Sequence, residues 1–249
     1  MKYILKILRG TENNQYFEEF ALEFKEGANI VSALLDIQKK PITKDGKKVS
    51  SVSFEVGCLE EVCGACSMLI NAKPRQACTT LIKDLISKKN NLITIAPLSK
   101  FPLIKDLIVD RSKMFKSLKK VNAWIDEEDA DDFGPKIDSK TRDKLYELTT
   151  CMTCGCCLEA CPQYNKNTKF IGASSISQGR LFSDHPIAKN KSKRINSLMQ
   201  EGGIQDCGNS QNCKEVCPKE ISLTESIAKV GKDTTRQLFK DLFSKKKKT

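Results

Sequence analysis

Cys58, Cys63 and Cys66 carry the spacing C-x4-C-x2-C, and Cys78 follows at a distance. Thiolates placed in this way are the plant-type arrangement for a 2Fe-2S cluster. Gly57, Gly64 and Ala65 keep the loop small, so it can wrap with backbone N–H groups turned toward the sulfurs. Zinc held by four cysteines is the competing chemistry, although zinc hooks more usually pair two C-x2-C turns. A second constellation, Cys151, Cys154, Cys157 and Cys161 with Pro162, fits C-x2-C-x2-C-x3-C-P, the run of bacterial two-cluster ferredoxins. In that run three thiolates bind one cluster and the fourth binds the other, so a further cysteine set is required downstream. Cys207, Cys213 and Cys217 with Pro218 supply it, but the same template puts Ser210 where another cysteine belongs. Cys217 is therefore expected to complete a 4Fe-4S site with Cys151, Cys154 and Cys157. Cys161, Cys207 and Cys213 remain as three thiolates, which suit a 3Fe-4S cluster. An oxygen ligand from Ser210 to a fourth iron is the alternative, and it is the harder and weaker ligand. Of the twelve cysteines only Cys156 is then unassigned, and it reads as a spare buried thiol.

The elements that must position these thiols change character along the chain. Tyr3, Leu5 and Ile7 alternate with Ile4, Lys6 and Leu8, and the stretch from Phe17 to Phe24 repeats the strand-like composition, so two early strands are predicted. Ile30, Leu34, Leu35 and Ile37 fall at helical spacing and Pro41 ends that helix; Val52 to Val56 is predicted as a strand running into Cys58. From Leu103 onward the pattern predicts helix, through Leu107, Ile108, Met114, Phe115 and Leu118, with further helices around Lys144, Ser177 and Arg194. The expected domains are therefore 1–102, a small sheet with a packed helix, and 103–249, mostly helical. Asp126 to Pro135 is acidic and reads as a solvated loop. Ser222 to Glu225 has the capping-box pattern, opening a last helix whose Ile227, Val230, Leu238 and Leu242 are expected to face inward behind the last cysteines.

Composition narrows the function classes. No apolar run approaches the roughly 18 residues of a membrane span, and no signal peptide is read at the N-terminus. Clustered thiols in a chain without an export signal point to a reducing compartment, where they hold metal rather than form disulfides. The net charge of +11 fits nucleic acid, anionic lipid or an acidic partner equally. The tail Lys245 to Lys248 is either solvated or laid on an anionic membrane surface. A basic zinc module for nucleic acid is disfavoured, because aromatic residues are sparse, lysines are scattered and the ferredoxin spacings occur twice over. A free soluble ferredoxin remains a second reading. The sole histidine, His185, precedes Pro186 and reads as a surface residue, Glu60 and Glu61 read as solvated, and the relay chemistry needs no acid, base or nucleophile in this chain.

GCLEEVCGAC at Gly57 to Cys66, CMTCGCCLEAC at Cys151 to Cys161, KFIG at Lys169 to Gly172 and CGNSQNCKEVCPK at Cys207 to Lys219 resemble the iron-sulfur subunit of succinate dehydrogenase and fumarate reductase, over nearly the whole chain. The resemblance implies an α+β fold, with an N-terminal beta-grasp 2Fe-2S ferredoxin domain followed by an all-α helical ferredoxin domain. It implies a flavoprotein partner that oxidises succinate on FAD, and a haem-containing membrane anchor where quinone is reduced. Electrons would pass from flavin through the 2Fe-2S, 4Fe-4S and 3Fe-4S clusters, with the chain peripheral on the cytoplasmic face of the inner membrane, in the respiratory chain and tricarboxylic acid cycle. The succinate site would lie in the flavoprotein, and the reverse direction, fumarate reduction, would use the same relay residues. In the ubiquinone-using branch a tryptophan follows the cysteine-proline pair; here Gln163, Tyr164 and Asn165 follow Pro162, and the only tryptophan is Trp124. The motifs look closer to the menaquinone-using branch, so menaquinone is the expected quinone.

Overall fold

A computed structural model describes residues 1–125 and 135–245. In chain order the elements are β1 (Lys2–Thr11), β2 (Asn14–Glu23), α1 (Ile30–Lys39), β3 (Ser67–Ile70), β4 (Lys73–Gln76), β5 (Leu92–Ala96), β6 (Leu103–Lys105) and β7 (Ile108–Val109). The helices α2 (Ser112–Lys120), α3 (Ser139–Thr149), α4 (Cys156–Glu159), α5 (Gly172–Asp184), α6 (Lys191–Leu198), α7 (Asn212–Glu215) and α8 (Leu223–Lys245) follow. Two compact units result: Met1–Arg111 with Met152–Glu159, and Ser112–Cys151 with Ala160–Thr249.

The first unit is a five-stranded sheet in the order β2-β1-β5-β3-β4. β1 pairs antiparallel with β2, Leu5 opposite Phe20, and parallel with β5, Leu5 opposite Ile93. Period-two alternation sends Tyr3, Leu5 and Ile7 to one face. There they meet Ile93, Ile95 and the buried side of α1, formed by Ile30, Val31, Leu34 and Ile37, in a single core. Helix α1 is opened by a reciprocal cap: the Ser32 N–H donates to the Asn29 side chain, and the Asn29 N–H donates to the Ser32 hydroxyl.

Two expectations fail in this unit. Residues 103–107, predicted as the start of a helix, form with 108–109 the small hairpin β6-β7 instead. Val52 to Val56 joins no strand ladder. The Ser53 N–H donates to the Asp106 carboxylate and the Ser53 carbonyl accepts from Leu107, so its backbone bonds go to the β6-β7 turn rather than to a neighbouring strand. The centre of this arrangement is Arg9, 1% exposed, whose guanidinium reaches Asp106 at 3.2 Å, Glu18, and the carbonyls of Ser50 and Ser51. Burial alone would push the Asp106 carboxyl up, but the Gly10 and Ser53 N–H groups and Arg9 outweigh it and hold the carboxyl below its ordinary value. A buried charge needs such partners, and neither hydrophobic periodicity nor turn composition announces them.

The described part of the second unit is helical. Helix α5 is buried along most of its length, including Ile176, Ser177 and Leu181, and packs against α3, α6 and α8. The capping box expected at Ser222 does not form: the Ser222 N–H donates to Glu147 at 2.5 Å, and Glu225 pairs instead with Arg180 at 3.1 Å. Val230 is buried and Ile227 half-buried, but Leu238 and Leu242 are exposed, together with Phe239 and Phe243. The spacing explains the error. Ser226, Val230 and Thr234 are buried at intervals of four residues, and on a helix of 3.6 residues per turn each such step rotates by about 40°. By Leu238 the series has turned off the packed face. His185, expected on the surface, is half-buried, and its N–H donates to Leu181 at the end of α5. The acidic stretch 126–134 and lysines 246–248 lie outside the described residues. Among the described residues no helix is long and apolar enough to cross a membrane.

Candidate metal centres

The loop from Gly57 to Cys66 is irregular because its backbone wraps around sulfur. Leu59, Glu61 and Gly64 take left-handed conformations at φ 63°, 55° and 70°, and such alternation turns successive N–H groups inward as an anion-binding concavity. The N–H groups of Glu60, Val62 and Cys63 donate to the Cys58 sulfur at 3.4, 3.2 and 3.3 Å, and the Cys58 N–H donates to the Cys63 sulfur at 3.4 Å. These bonds lower the Cys58 thiol to about 7. The loop is thus built for thiolate at Cys58, as ligation of an iron-sulfur cluster requires. Cys66 and Cys78 are buried, at the start of β3 and just past β4, and burial with the neighbouring Cys78 pushes Cys66 up to about 12. Cys78 is tied to the helix cap, since the Asn29 side chain donates to its carbonyl at 2.8 Å. Glu61 is not merely solvated, because it accepts from the Thr79 hydroxyl.

Gly64 has a second reason to be glycine besides its φ. A Cβ there would come within 2.9 Å of the Cys154 Cα and of the Met152 carbonyl. The segment 152–159, which belongs to the same unit, therefore lies directly on the first cysteine loop. Arg111 clamps that loop, donating to the carbonyls of Gly64 at 2.7 Å and Ala65 at 2.6 Å. The short helix α4 is held by Glu159, whose carboxylate accepts from the Ser99 N–H and hydroxyl and from the Lys100 N–H. Cys154, Cys156 and Cys157 are all buried here. Cys154 is lowered to about 7, chiefly by a bond from the Cys156 thiol, while that bond and burial push Cys156 far up.

In the second unit, Cys161, Cys207 and Cys213 line one cavity together with Ser210, Phe170, Ala173 and Ile227. The loop between Cys207 and Cys213 takes left-handed turns at Asn209 and Gln211, φ 51° and 63°, and the Asn212 side chain anchors it on the Ala160 carbonyl at 3.1 Å. Burial, then Cys161 and Cys207 beside it, push the Cys213 thiol up. Three thiols around one cavity fit a group carrying positive iron in place of their protons. Cys151 follows α3 and Cys217 follows α7, both half-buried in this second unit. None of the twelve cysteines forms a disulfide. Among the described residues, no three Cys, His, Asp or Glu side chains gather closely enough for a single metal ion; a cluster carries its own sulfides and takes thiols set wider apart.

Sequence reading missed three residues that shape these sites: Arg111, Glu159 and Gln76. Glu159 stands inside a cysteine motif, and its acidic type in an otherwise tight segment was the available signal. For Arg111 and Gln76 nothing in the local pattern marks them.

Residues 4–116 match the 2Fe-2S iron-sulfur cluster binding domain family, and residues 147–221 match the 4Fe-4S dicluster domain family. The chain is 48% identical to the succinate dehydrogenase iron-sulfur subunit of Bacillus subtilis over 98% of this chain and 96% of that protein. It is 31% identical to the fumarate reductase iron-sulfur subunit of Wolinella succinogenes, covering 86% of this chain and 87% of that one. Its fold matches a chain of the Mycobacterium smegmatis Sdh1 complex in the apo form with a TM-score of 0.83 at 20% identity, covering 96% and 97% of the two chains. A cysteine loop built for thiolate, a three-thiol cavity and this full-length similarity lead to one conclusion: the chain belongs to the family of iron-sulfur subunits of succinate dehydrogenase and fumarate reductase.

Proposed function

We propose that this chain is the electron relay of a succinate dehydrogenase, standing between an FAD-bearing flavoprotein subunit and a haem-containing membrane anchor that reduces a quinone, menaquinone in preference to ubiquinone. Cys58, Cys63, Cys66 and Cys78 would hold a 2Fe-2S cluster, Cys151, Cys154, Cys157 and Cys217 a 4Fe-4S cluster, and Cys161, Cys207 and Cys213 a 3Fe-4S cluster. Such clusters supply one-electron steps over a wide range of potentials. The chain's own work is to favour the thiolate at Cys58, to aim N–H groups at the sulfurs of the Cys58 loop, and to exclude water from the buried ligands. The succinate site lies in the flavoprotein on this reading, and the chain sits peripherally on the cytoplasmic face of the cell membrane.

The observation that carries the proposal is the cavity that collects three thiols and Ser210 from positions matching a four-cysteine template. Electron paramagnetic resonance of the air-oxidised complex, with an iron count, tests it. An oxidised 3Fe-4S cluster has an odd electron and a signal, and the three clusters together bring about nine irons per chain. A silent spectrum with about ten irons would put a fourth iron at Ser210, and no iron at all would return the chain to the zinc reading. The similarity to a fumarate reductase subunit supports a second reading, in which the same relay runs in reverse. The reduction potentials of quinone and haem in the native membrane separate the two.

A further inference from the structure

Gln76, the last residue of β4, is 2% exposed, and its carboxamide touches three side chains. The Cys66 thiol donates to its Oε1 at 3.4 Å; its Nε2 donates to the Ser67 hydroxyl at 2.7 Å and to the Cys156 sulfur at 3.6 Å. Ser67 passes its own proton to the Gly64 carbonyl at 2.8 Å. Cys156 is fully buried, two residues along the chain from Cys154. One buried amide therefore spans from a ligand of the first proposed cluster to the thiol beside a ligand of the second, all within the first unit.

The bond from Cys66 exists only while Cys66 is a thiol. As an iron ligand Cys66 is a thiolate with no proton to give, and a carbonyl oxygen facing it would set two lone-pair groups against each other in a dry site. The terminal torsion of glutamine is broad and close to two-fold, so the amide can exchange its oxygen and NH2 without moving its stem. After that exchange an N–H points at Cys66, and the oxygen faces the Ser67 hydroxyl and Cys156, whose O–H and S–H each turn from their present acceptors to donate to it.

We propose that Gln76 tunes the 2Fe-2S cluster by donating to the Cys66 thiolate, and that Cys156 is a positioning residue that holds the amide in that orientation. Both roles rest on the cluster assignment proposed above. Reduction adds negative charge to the cluster sulfurs, so an N–H···S bond favours the reduced form and raises the potential. The otherwise unassigned Cys156 acquires a function that needs its thiol proton rather than its metal affinity.

The test is a redox titration of the 2Fe-2S paramagnetic signal in the membrane-bound complex, for the wild type, Gln76→Leu and Cys156→Ala. A reduced 2Fe-2S signal in the wild type is read first; its absence would overturn the cluster assignment and this inference with it. With the signal present, Gln76→Leu is expected to disfavour reduction about tenfold, a fall of about 59 mV for one electron. Cys156→Ala should shift the midpoint in the same direction by less, with the 3Fe-4S midpoint unmoved in both as the internal reference. A midpoint at the wild-type value in both variants overturns the proposal, and a shift in Gln76→Leu alone overturns the role of Cys156. Should Gln76→Leu fail to load its cluster, Cys156→Ala decides, since it leaves Gln76 and every ligand in place. A purely structural role would lower cluster occupancy without moving the midpoint.

Discussion

On the proposed ligand assignment, the Cys58 loop and the Cys161–Cys207–Cys213 cavity prepare thiols for iron by opposite means. Around Cys58 the main chain does the work: left-handed residues turn three N–H groups onto an accessible sulfur, and the thiol falls to about 7. In the cavity, side chains do it: apolar neighbours and adjacent thiols surround Cys213 and push its proton loss upward. At Cys58 the thiolate is stabilised before any metal arrives. Cys213, like the buried Cys66 of the other site, acquires its charge only when iron displaces its proton, so ligation at these two releases protons at neutral pH. The strand-braced loop therefore lowers the cost of ligation through backbone geometry, and the helical cavity tunes its group through a low dielectric.

The sharpest way to break this contrast is Ser210→Cys. If the cavity lacks only a thiolate, the variant takes a fourth iron, and the oxidised 3Fe-4S signal disappears while the 2Fe-2S signal of the first unit stays. Survival of the oxidised signal with an unchanged iron count would mean that residue 210 does not face the site. Next in size is Asp106→Ala. Removing one partner of a buried ion pair costs about 3–5 kcal/mol, here at the bond network that carries residues 50–53 toward Cys58. Thermal melting should show that loss in the first unit, with the 3Fe-4S signal retained at low temperature. The same network predicts the acid response. Because the folded Asp106 carboxyl is held below its ordinary value, its contribution is fully present above the unfolded pKa of about 4 and is lost as pH falls through the lower folded value. A melting temperature of Asp106→Ala equal to wild type at pH 7 would contradict this account.

The smallest effect concerns the metal-free chain. Cys58 should alkylate with a midpoint near pH 7, while Cys66 should resist until about pH 12 and Cys213 should also lag an ordinary thiol. Peptide mapping after iodoacetamide labelling across pH gives these midpoints directly. Equal midpoints for Cys58 and Cys213 would remove the distinction between the two regions.

What the sequence alone determined was the chemistry, because iron-sulfur ligation is written in local spacing. C-x4-C-x2-C and C-x2-C-x2-C-x3-C-P are short-range patterns, and the missing thiolate at Ser210 is visible by alignment of one template on another. The alternating β1 and the helical spacing of α1 were legible for the same reason, since each is a periodicity over a few residues. Tertiary structure decided whatever depends on partners distant in the chain. Val52 to Val56 has strand composition, yet Asp106 and Leu107 take its backbone bonds. Ser222 has a capping box by pattern, yet Glu147 and Arg180 claim its members. Gly64 reads as a flexible loop residue until Cys154 is found 2.9 Å from its missing Cβ. Gln76, 80 residues before Cys156, could not be paired with it by any local rule. Buried polar groups choose partners by proximity in the folded core, and that proximity exists only after the chain has closed loops of fifty to a hundred residues.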